Sequence, residues 1–296
     1  MDPAVFNTSQ HRALQAAEGW HSFYALNDKR RMTVAAIHFH IARGEAHSPL
    51  KSPFGSVELA PGVLPLVVFR FLEFVESRLK SRGAQLIRIK HYPSGYDAAG
   101  SVLLHTFFIN LGYRVAGAEA GAIIPVTAHA FETLLDPWRR SKLRQAAASG
   151  LQARELPRSE LKAIYEFING RHQEKGYAPL SMSLPELEDA VRTLEKEFIL
   201  LGVFQKDRLA AASVAIRVNR HVLYHFYTAH DPEFDSLNPM IFLIDRLYAY
   251  CRQHDITLLD LGTSAMDGKP NFGLLDFKLR LGAQPTTKFT FEKILT

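Results

Sequence analysis

The chain has 296 residues, 47% of them hydrophobic and 22% charged, with 18 glycines and 15 prolines spread along it. That composition excludes a disordered, collagen-like or low-complexity chain, and the length holds one large α/β domain or roughly two of ordinary size. The formal charge of +5 and pI near 9.2 favour anionic partners through long-range attraction without selecting one class.

The one cysteine, Cys251, has no intrachain disulfide partner, so a reducing compartment, the cytoplasm, is expected. The opening MDPAVFNTSQHRALQAAEGW shows no basic-then-apolar leader, and the most apolar later stretch, 63–75, is short and broken by Arg70 and Glu73. Neither a leader nor a membrane span is expected.

The predicted elements begin with an antiparallel hairpin, 22–26 and 33–42 (TVAAIHFHIA), around the charged turn 27–30. After a loop, Leu64, Val67, Val68, Phe71, Leu72, Val75 and Leu79 follow i, i+3/i+4 spacing and predict a helix over 63–82, stopped by Gly83. A strand at 85–90, a helix at 100–111 and an extended stretch at 113–126 complete a first α/β pattern. The basic segment 131–150 is helical with a proline break. A similar order then repeats: helices 159–175 and 184–194, strands 197–204, 208–218 and 221–229, helix 239–254, strand 256–261, a loop or short helix 271–281, and a last strand 287–293.

The fold class is therefore α/β in the α+β sense: two tandem domains, 1–128 and 129–296, each a mixed, largely antiparallel sheet flanked by helices. Hairpins ahead of the crossover helix do not suit a doubly wound dinucleotide fold, and no GxGxxG or GxxxxGKS occurs in a strand-to-helix context. No Gly-x-Ser-x-Gly elbow is present, and Cys251 reads as a core residue of its helix. His38 and His40 share a strand face, but no carboxylate or cysteine accompanies them, so no metal site is expected.

Several strings carry a family resemblance. They are the hairpin 198–218 (FILLGVFQKDRLAAASVAIRV), the strand and exit 221–234, the helix start Asn238-Pro239-Met240, and 258–262 (LLDLG). The most specific is 273–283 (GLLDFKLRLGA), with the form G-hydrophobic-x-x-F-K-x-x-hydrophobic-G. With the basic helix 137–146 (PWRRSKLRQA), these strings resemble the GNAT acyltransferase superfamily, and in detail its tandem FemABX-like group. The resemblance spans 131–293 by motif and the N-terminal half only by order of elements.

The resemblance implies an N-acetyltransferase-like enzyme that moves an acyl group from an activated donor to an amine of a small molecule or cell-wall precursor. Acetyl-CoA or another acyl-CoA is the expected donor, with no metal. The alternatives are a Fem-type aminoacyl-tRNA-dependent transferase acting on a peptidoglycan precursor, and a binding protein that keeps the fold without the chemistry. The usual acetyl-CoA loop, R/Q-x-x-G-x-G/A, is absent from 229–238 (AHDPEFDSLN) and 52–62 (SPFGSVELAPG), which weakens acetyl-CoA and keeps tRNA in view.

By that resemblance the second domain holds the working cleft. His230, Ser236, Leu237 and Asn238 are the expected cofactor-binding residues, because free N–H groups and the positive end of a helix suit pyrophosphate and oxyanions. Asn238 is an expected cap, with Pro239 at the first helical position. Lys278 is the favoured catalytic residue, since the corresponding lysine of the resembled element faces the cleft and an ammonium there stabilises an oxyanion or holds a phosphate.

Asp260 ends a buried strand, where a carboxylate either accepts a proton from the amine, orients a neighbour or caps the next loop. Tyr224, His225, Tyr227 and His230 bring proton carriers to one strand and its exit, Tyr227 as a catalytic candidate on the face opposite His225. Arg140 and Arg144, in a cluster with Arg139 and Lys142, and Tyr224 are the expected substrate-binding residues. A solvated helix face is the competing reading of that cluster.

Overall fold

A computed structural model describes residues 2–266 and 268–295. It shows two compact units: Met1–Gly121 with Ala265–Pro270 and Thr286–Thr296, and Ala122–Ser264 with Asn271–Pro285.

The first unit opens with a 3-10 turn, Val5–Asn7, and helix α1 (Ser9–Gln15), whose cap residue Thr8 accepts from the His11 amide. The hairpin β1 (Trp20–Asn27) and β2 (Met32–Ala42) follows, then β3 (Glu45–Ser48) and β4 (Glu58–Leu59). Helix α2 (Pro65–Ser81), β5 (Leu86–Lys90) and α3 (Ala98–Asn110) lead into β6 (Arg114–Pro125), which begins in the first unit and ends in the second.

The second unit continues with α4 (Pro137–Ala148), β7 (Leu151–Glu155), α5 (Leu161–Glu174), α6 (Leu184–Thr193), β8 (Phe198–Gln205) and β9 (Arg208–Arg217). Next come β10 (Val222–His230), α7 (Pro239–Gln253) and β11 (Leu258–Thr263). The ribbon β12 (Ala265–Met266) and β13 (Lys269–Pro270) falls to the first unit, α8 (Phe272–Arg280) to the second. The closing strand β14 (Gln284–Ile294) pairs with β5, placing most of it in the first unit.

The strand order is β1-β2-β3-β5-β14-β6 in the first unit and β6-β11-β10-β9-β8-β7 in the second. The pairs β3–β5 and β10–β11 are parallel, each joined through a helix, α2 or α7. Pairs β1–β2, β2–β3, β5–β14, β7–β8, β8–β9 and β9–β10 are antiparallel. The mixed, largely antiparallel α/β class expected from sequence is the one found.

In the first unit α2 buries Val68, Phe71, Leu72, Val75 and Leu79, the stripe that predicts it. Phe108 of α3 meets Phe291 of β14 with ring centroids 5.0 Å apart. In the second unit, Leu243, Leu247, Tyr248 and Cys251 of α7 pack with Leu223 and Leu259 on one sheet face. On the other face Ile164 and Ile168 of α5 and Leu187 of α6 pack with Leu200 and Val214. Strands β8 and β9 are covered on both faces, which is why they read as continuous apolar runs. Burial raises the Cys251 thiol to about 12, so it is an inert core group.

The region between β3 and β5 bears on the site by contrast. Their parallel pairing runs from Glu45↔Leu86 to Ser48↔Ile89, where β3 ends. Beyond it Gly55 donates its N–H to Lys90 O at 2.9 Å, and Ser56 Oγ lies 2.7 Å from Nδ1 of the buried His91. The chain comes so close to itself that a Cβ on Gly55 would sit 2.8 Å from Pro49 N.

Candidate functional site in the second unit

The parallel ladder of β10 and β11 has three rungs, Val222↔Leu258, Leu223↔Leu259 and Tyr224↔Asp260. Past them β10 runs on to His230 and β11 to Thr263 without further pairing to each other. A bulge sits at the point of divergence: against β9, His225 pairs with Ala215 and Tyr227 with Val214, leaving Phe226 as an extra residue. A bulge bends its strand and increases the local twist, which turns β10 out of register with β11.

The bulge also decides which way the side chains face. Strict alternation puts residues two apart on one face. Here His225 lies opposite Ala215, in the core around α7, whereas Tyr227 shares the α5–α6 core with Val214. The two do face opposite ways, because of the bulge and not the strand period.

Lys278 is the one buried residue of α8 and is 7% exposed. Asn271 caps that helix by accepting from the Leu274 amide, which fixes its first turn. The Lys278 ammonium donates to Gly262 O and Thr263 O, both at 2.9 Å, and so closes the diverging end of β11. Asp260, 2% exposed, accepts from the Gly262 amide at 2.7 Å. Burial lowers Lys278 to about 8 against the opposing pull of Asp260. Tyr224 lies alongside, its Cε2 3.3 Å from where a Cβ on Gly262 would stand.

Two further polar groups belong to this place. His225 is pushed down to about 3 by burial and then by the Lys278 charge, so its ring is neutral at pH 7. Its Nε2 and the Oγ of Ser264 are buried without a hydrogen-bond partner among the described residues. Unsatisfied buried polar atoms are rare, and here one lies on a ring that feels the Lys278 charge and the other on the residue after Thr263, whose carbonyl holds that ammonium; one N–H direction of Lys278 is unspent on Gly262 and Thr263. Sequence reading singled out His225 only as one of four proton carriers on β10. Ser264 gave no signal, since a lone serine in a loop has no periodicity to mark it.

The remaining expected residues are held elsewhere. Tyr227 OH lies 2.6 Å from Ser181 Oγ and accepts from the Met182 amide at 3.0 Å, while Tyr165 OH donates to Met182 O. Its phenol therefore ties down the segment before α6, and burial raises its pKa. Tyr227→Phe is expected to cost about 1–2 kcal/mol and to speed limited proteolysis near 175–182. Unchanged cleavage there would remove that assignment.

His230 Nε2 pairs with Asp235 at 2.9 Å, and burial is the main cause lowering its pKa. Ser236 and Leu237 lie in the 3-10 turn Pro232–Leu237, with Leu237 packed against the α7 core. Asn238 does not cap α7: it sits in the left-handed region at φ 56, and its Nδ2 turns back to Ser236 O. The turn carries carboxylates instead of a glycine loop. Asp231 is 3.5 Å from Arg171 and 3.8 Å from Arg208, and Glu233 is 2.6 Å from Arg208.

Arg140 donates to the carbonyls of Glu132 and Leu135, and Arg144 pairs with the Glu132 carboxylate at 2.6 Å. Both are spent on the 3-10 turn Phe131–Leu134 that precedes α4. Trp138 stays 62% exposed beneath Arg139 and Lys142, whose charges lie 5.1 and 5.5 Å from its ring. The structure thus brings Lys278, Asp260 and Tyr224 together and leaves Tyr227, His230, Arg140 and Arg144 in local pairs.

Residues 138–278 match the profile of a family described as an acetyltransferase (GNAT) domain, with Lys278 as the last residue matched. The fold is similar to the crystal structure of FemX, with a TM-score of 0.74 over 99% of this chain and 93% of that one at 14% identity. Residues 138–278 thus carry the match to a GNAT domain, and the chain has a FemX-like fold.

A second similar structure is the C-terminal domain (DUF2156) of a putative lysylphosphatidylglycerol synthetase from Agrobacterium fabrum: TM-score 0.58, 14% identity, 99% of this chain and 88% of that one. A tandem GNAT protein from the clavulanic acid biosynthesis pathway gives TM-score 0.50 and 11% identity over 89% and 80%. No curated protein sequence matches the chain significantly. Among the described residues no helix is long and apolar enough to cross a membrane, and no group of three or more metal-ligating side chains is found.

Proposed function

We propose that the second unit transfers an activated acyl group to an amine, with Lys278 stabilising the oxyanion where β10 and β11 diverge. The observation that carries this reading is a buried ammonium fixed on the Gly262 and Thr263 carbonyls at that opening. The amine attacks the acyl carbon, its C–N bond forms, and the carbonyl oxygen gains the charge that the remaining Lys278 N–H meets. Collapse expels the thiolate or alkoxide of the donor, which takes up the proton released by the amine. A fixed charge in a water-poor place needs no reorganisation, and one such group contributes about 10²–10³ in rate. Asp260 acts through its hydrogen bond to Gly262, holding the strand end that positions Lys278.

Acyl-CoA is the proposed donor, and the amine of a small molecule or cell-wall precursor the proposed acceptor, in a cytoplasmic reaction that invokes no metal. A second reading has an aminoacyl ester, as on tRNA, as donor. It is favoured by the carboxylates of the turn before α7, which repel a diphosphate where a glycine loop would bind it. The likeness to a FemX and to a putative lysylphosphatidylglycerol synthetase points the same way.

Thermal-shift titration with acetyl-CoA and longer acyl-CoAs, followed by an amine-acylation assay with the same donors and with aminoacyl-tRNA, tests both. Saturable stabilisation by a CoA thioester supports the first reading. Silence towards every CoA together with aminoacyl transfer selects the second, and transfer from neither donor overturns both.

A further inference from the structure

The sheet of the first unit has one greasy face and one charged face. On β14, Phe289 and Phe291 point towards α3, where His105 and Phe108 meet them, and Lys293 pairs with Glu76 of α2. The alternate residues, Lys288, Thr290 and Glu292, therefore point the other way. Register places Lys90 opposite Thr290 and Arg88 opposite Glu292, so both β5 cations share that second face.

Charge on this face does not balance. Arg88 and Arg114 both pair with Glu292, and Lys288 pairs with Glu119 at 3.0 Å. Lys90 has neither an ion pair nor a hydrogen bond among the described residues. On β5, β6 and β14, four cations thus face two carboxylates, while Glu45 of the neighbouring β3 is taken up by His47. Lys288 is only 8% exposed and Lys90 is half-buried, so the excess is not dispersed in water. Burial, and then the neighbouring Lys288 charge, pulls the Lys90 ammonium down from its ordinary value.

Side chains of diagonal residues on neighbouring strands are within roughly 7–8 Å, a distance at which like charges oppose each other unless something lies between them. Thr290 stands between the two lysines in sequence register, and β6 leaves it uncovered: Gly117 has no side chain, and a Cβ there would be 3.7 Å from Thr290 Oγ1. Two ammoniums and a hydroxyl outnumber the one carboxylate beside them, Glu119, which pairs with Lys288 and also acts on Lys90, so the set keeps a net positive charge that suits an oxyanion.

We propose that Lys90, Lys288 and Thr290 form an oxyanion site on the charged face of the first unit, taking a phosphate or carboxylate group of a ligand. The site is independent of the acyl-transfer reading, since none of its residues belongs to the second unit.

The test uses the full chain in differential scanning fluorimetry and calorimetric titration with inorganic phosphate and with acetate, each against chloride at equal ionic strength. Either anion at about ten times its Kd is expected to raise Tm by roughly 3 °C, and the stronger of the two identifies the group. Lys90→Gln should abolish that shift while leaving the anion-free Tm equal or higher, because it removes a like-charged neighbour. Lys90→Arg should keep it. Thr290→Val, with the same readout and a smaller shift expected, serves where Lys90→Gln does not fold. Lys278→Met should leave the anion response intact. No shift with either anion, or an undiminished shift in Lys90→Gln, or in Thr290→Val where that variant replaces it, overturns the proposal.

Discussion

Replacing Lys278 by methionine is expected to lower acyl-transfer turnover about 10²–10³-fold with the fold retained, because it removes the ammonium fixed at the divergence of β10 and β11. Methionine keeps the length and the apolar stem and loses only the ammonium, so circular dichroism should stay native while kcat collapses. The pH profile separates charge from shape. With Lys278 near 8, the protonated form dominates at pH 7 and is lost as pH rises, so kcat should fall through about pH 8. Lys278→Arg stays charged, and that descending limb should vanish in it even though the wider guanidinium lowers the plateau.

Stability offers an independent readout of the same group. The folded value lies below the ordinary 10.5 of the unfolded chain, so between about pH 8 and 10.5 the unfolded state holds the extra proton. Stability relative to Lys278→Met should therefore rise with pH across that window and be lost as pH falls through about 8. Urea unfolding of both proteins at pH 7 and pH 10 measures it. Parallel curves for the two proteins would mean that Lys278 titrates as an exposed lysine does, and the buried-ammonium account would fail.

Gly282→Ala is expected to be the most destabilising conservative change in the second unit. Gly282 follows α8 at φ +79, and a Cβ there would lie 2.8 Å from Leu134 Cβ and 2.9 Å from the Leu134 carbonyl oxygen. The obstacle is backbone of the 3-10 turn beside the buried Phe131 and Leu135, so a rotamer change cannot relieve it. Strain at positive φ and the overpacking together cost about 3–5 kcal/mol, against a total near 5–15 for an ordinary domain. Gly83→Ala isolates the two effects: it has the same kind of φ, +81, with nothing within 4 Å, and should cost only about 1–2 kcal/mol. Equal losses in the two variants, measured by urea denaturation, would contradict the packing argument.

Much of this architecture was legible because the helices carry apolar stripes and the strands alternate. The stripe of α2 and the core position of Cys251 followed from spacing, and β8 and β9 from continuous apolar runs. Helix α1 escaped notice because none of its residues is buried, and β7 because only Leu151 is. The partner of β14 was not legible either: alternating Phe and charged residues reveal an amphipathic strand but do not say that Thr290 meets Lys90 two hundred residues away.

The candidate site was half legible. Lys278, Asp260 and Tyr224 were named from their strings, but main-chain carbonyls leave no mark in a sequence, so the bonds from Lys278 to Gly262 and Thr263 were out of reach. The same holds for the bulge at Phe226, which no pattern of residue types announces. Arg140 and Arg144 were read as substrate ligands, whereas their partners Glu132 and Leu135 lie across a turn whose geometry spacing does not reveal. Asn238 has the right chemistry for a cap and the wrong backbone angle to use it.

Gly55 and Ser56 place the two strand partings under different constraints. Where β3 parts from β5, the protein's own main chain occupies the vacancy, whereas the corresponding parting of β10 from β11 is left with unmatched polar atoms. An opening that supplies its own occupant answers, at that place, only to folding, and substitutions there are filtered by whether the stopper still fits. On the proposed function, an opening that takes its occupant from outside answers to that visitor as well. Drift in the first should therefore follow packing volume, and drift in the second should follow chemistry.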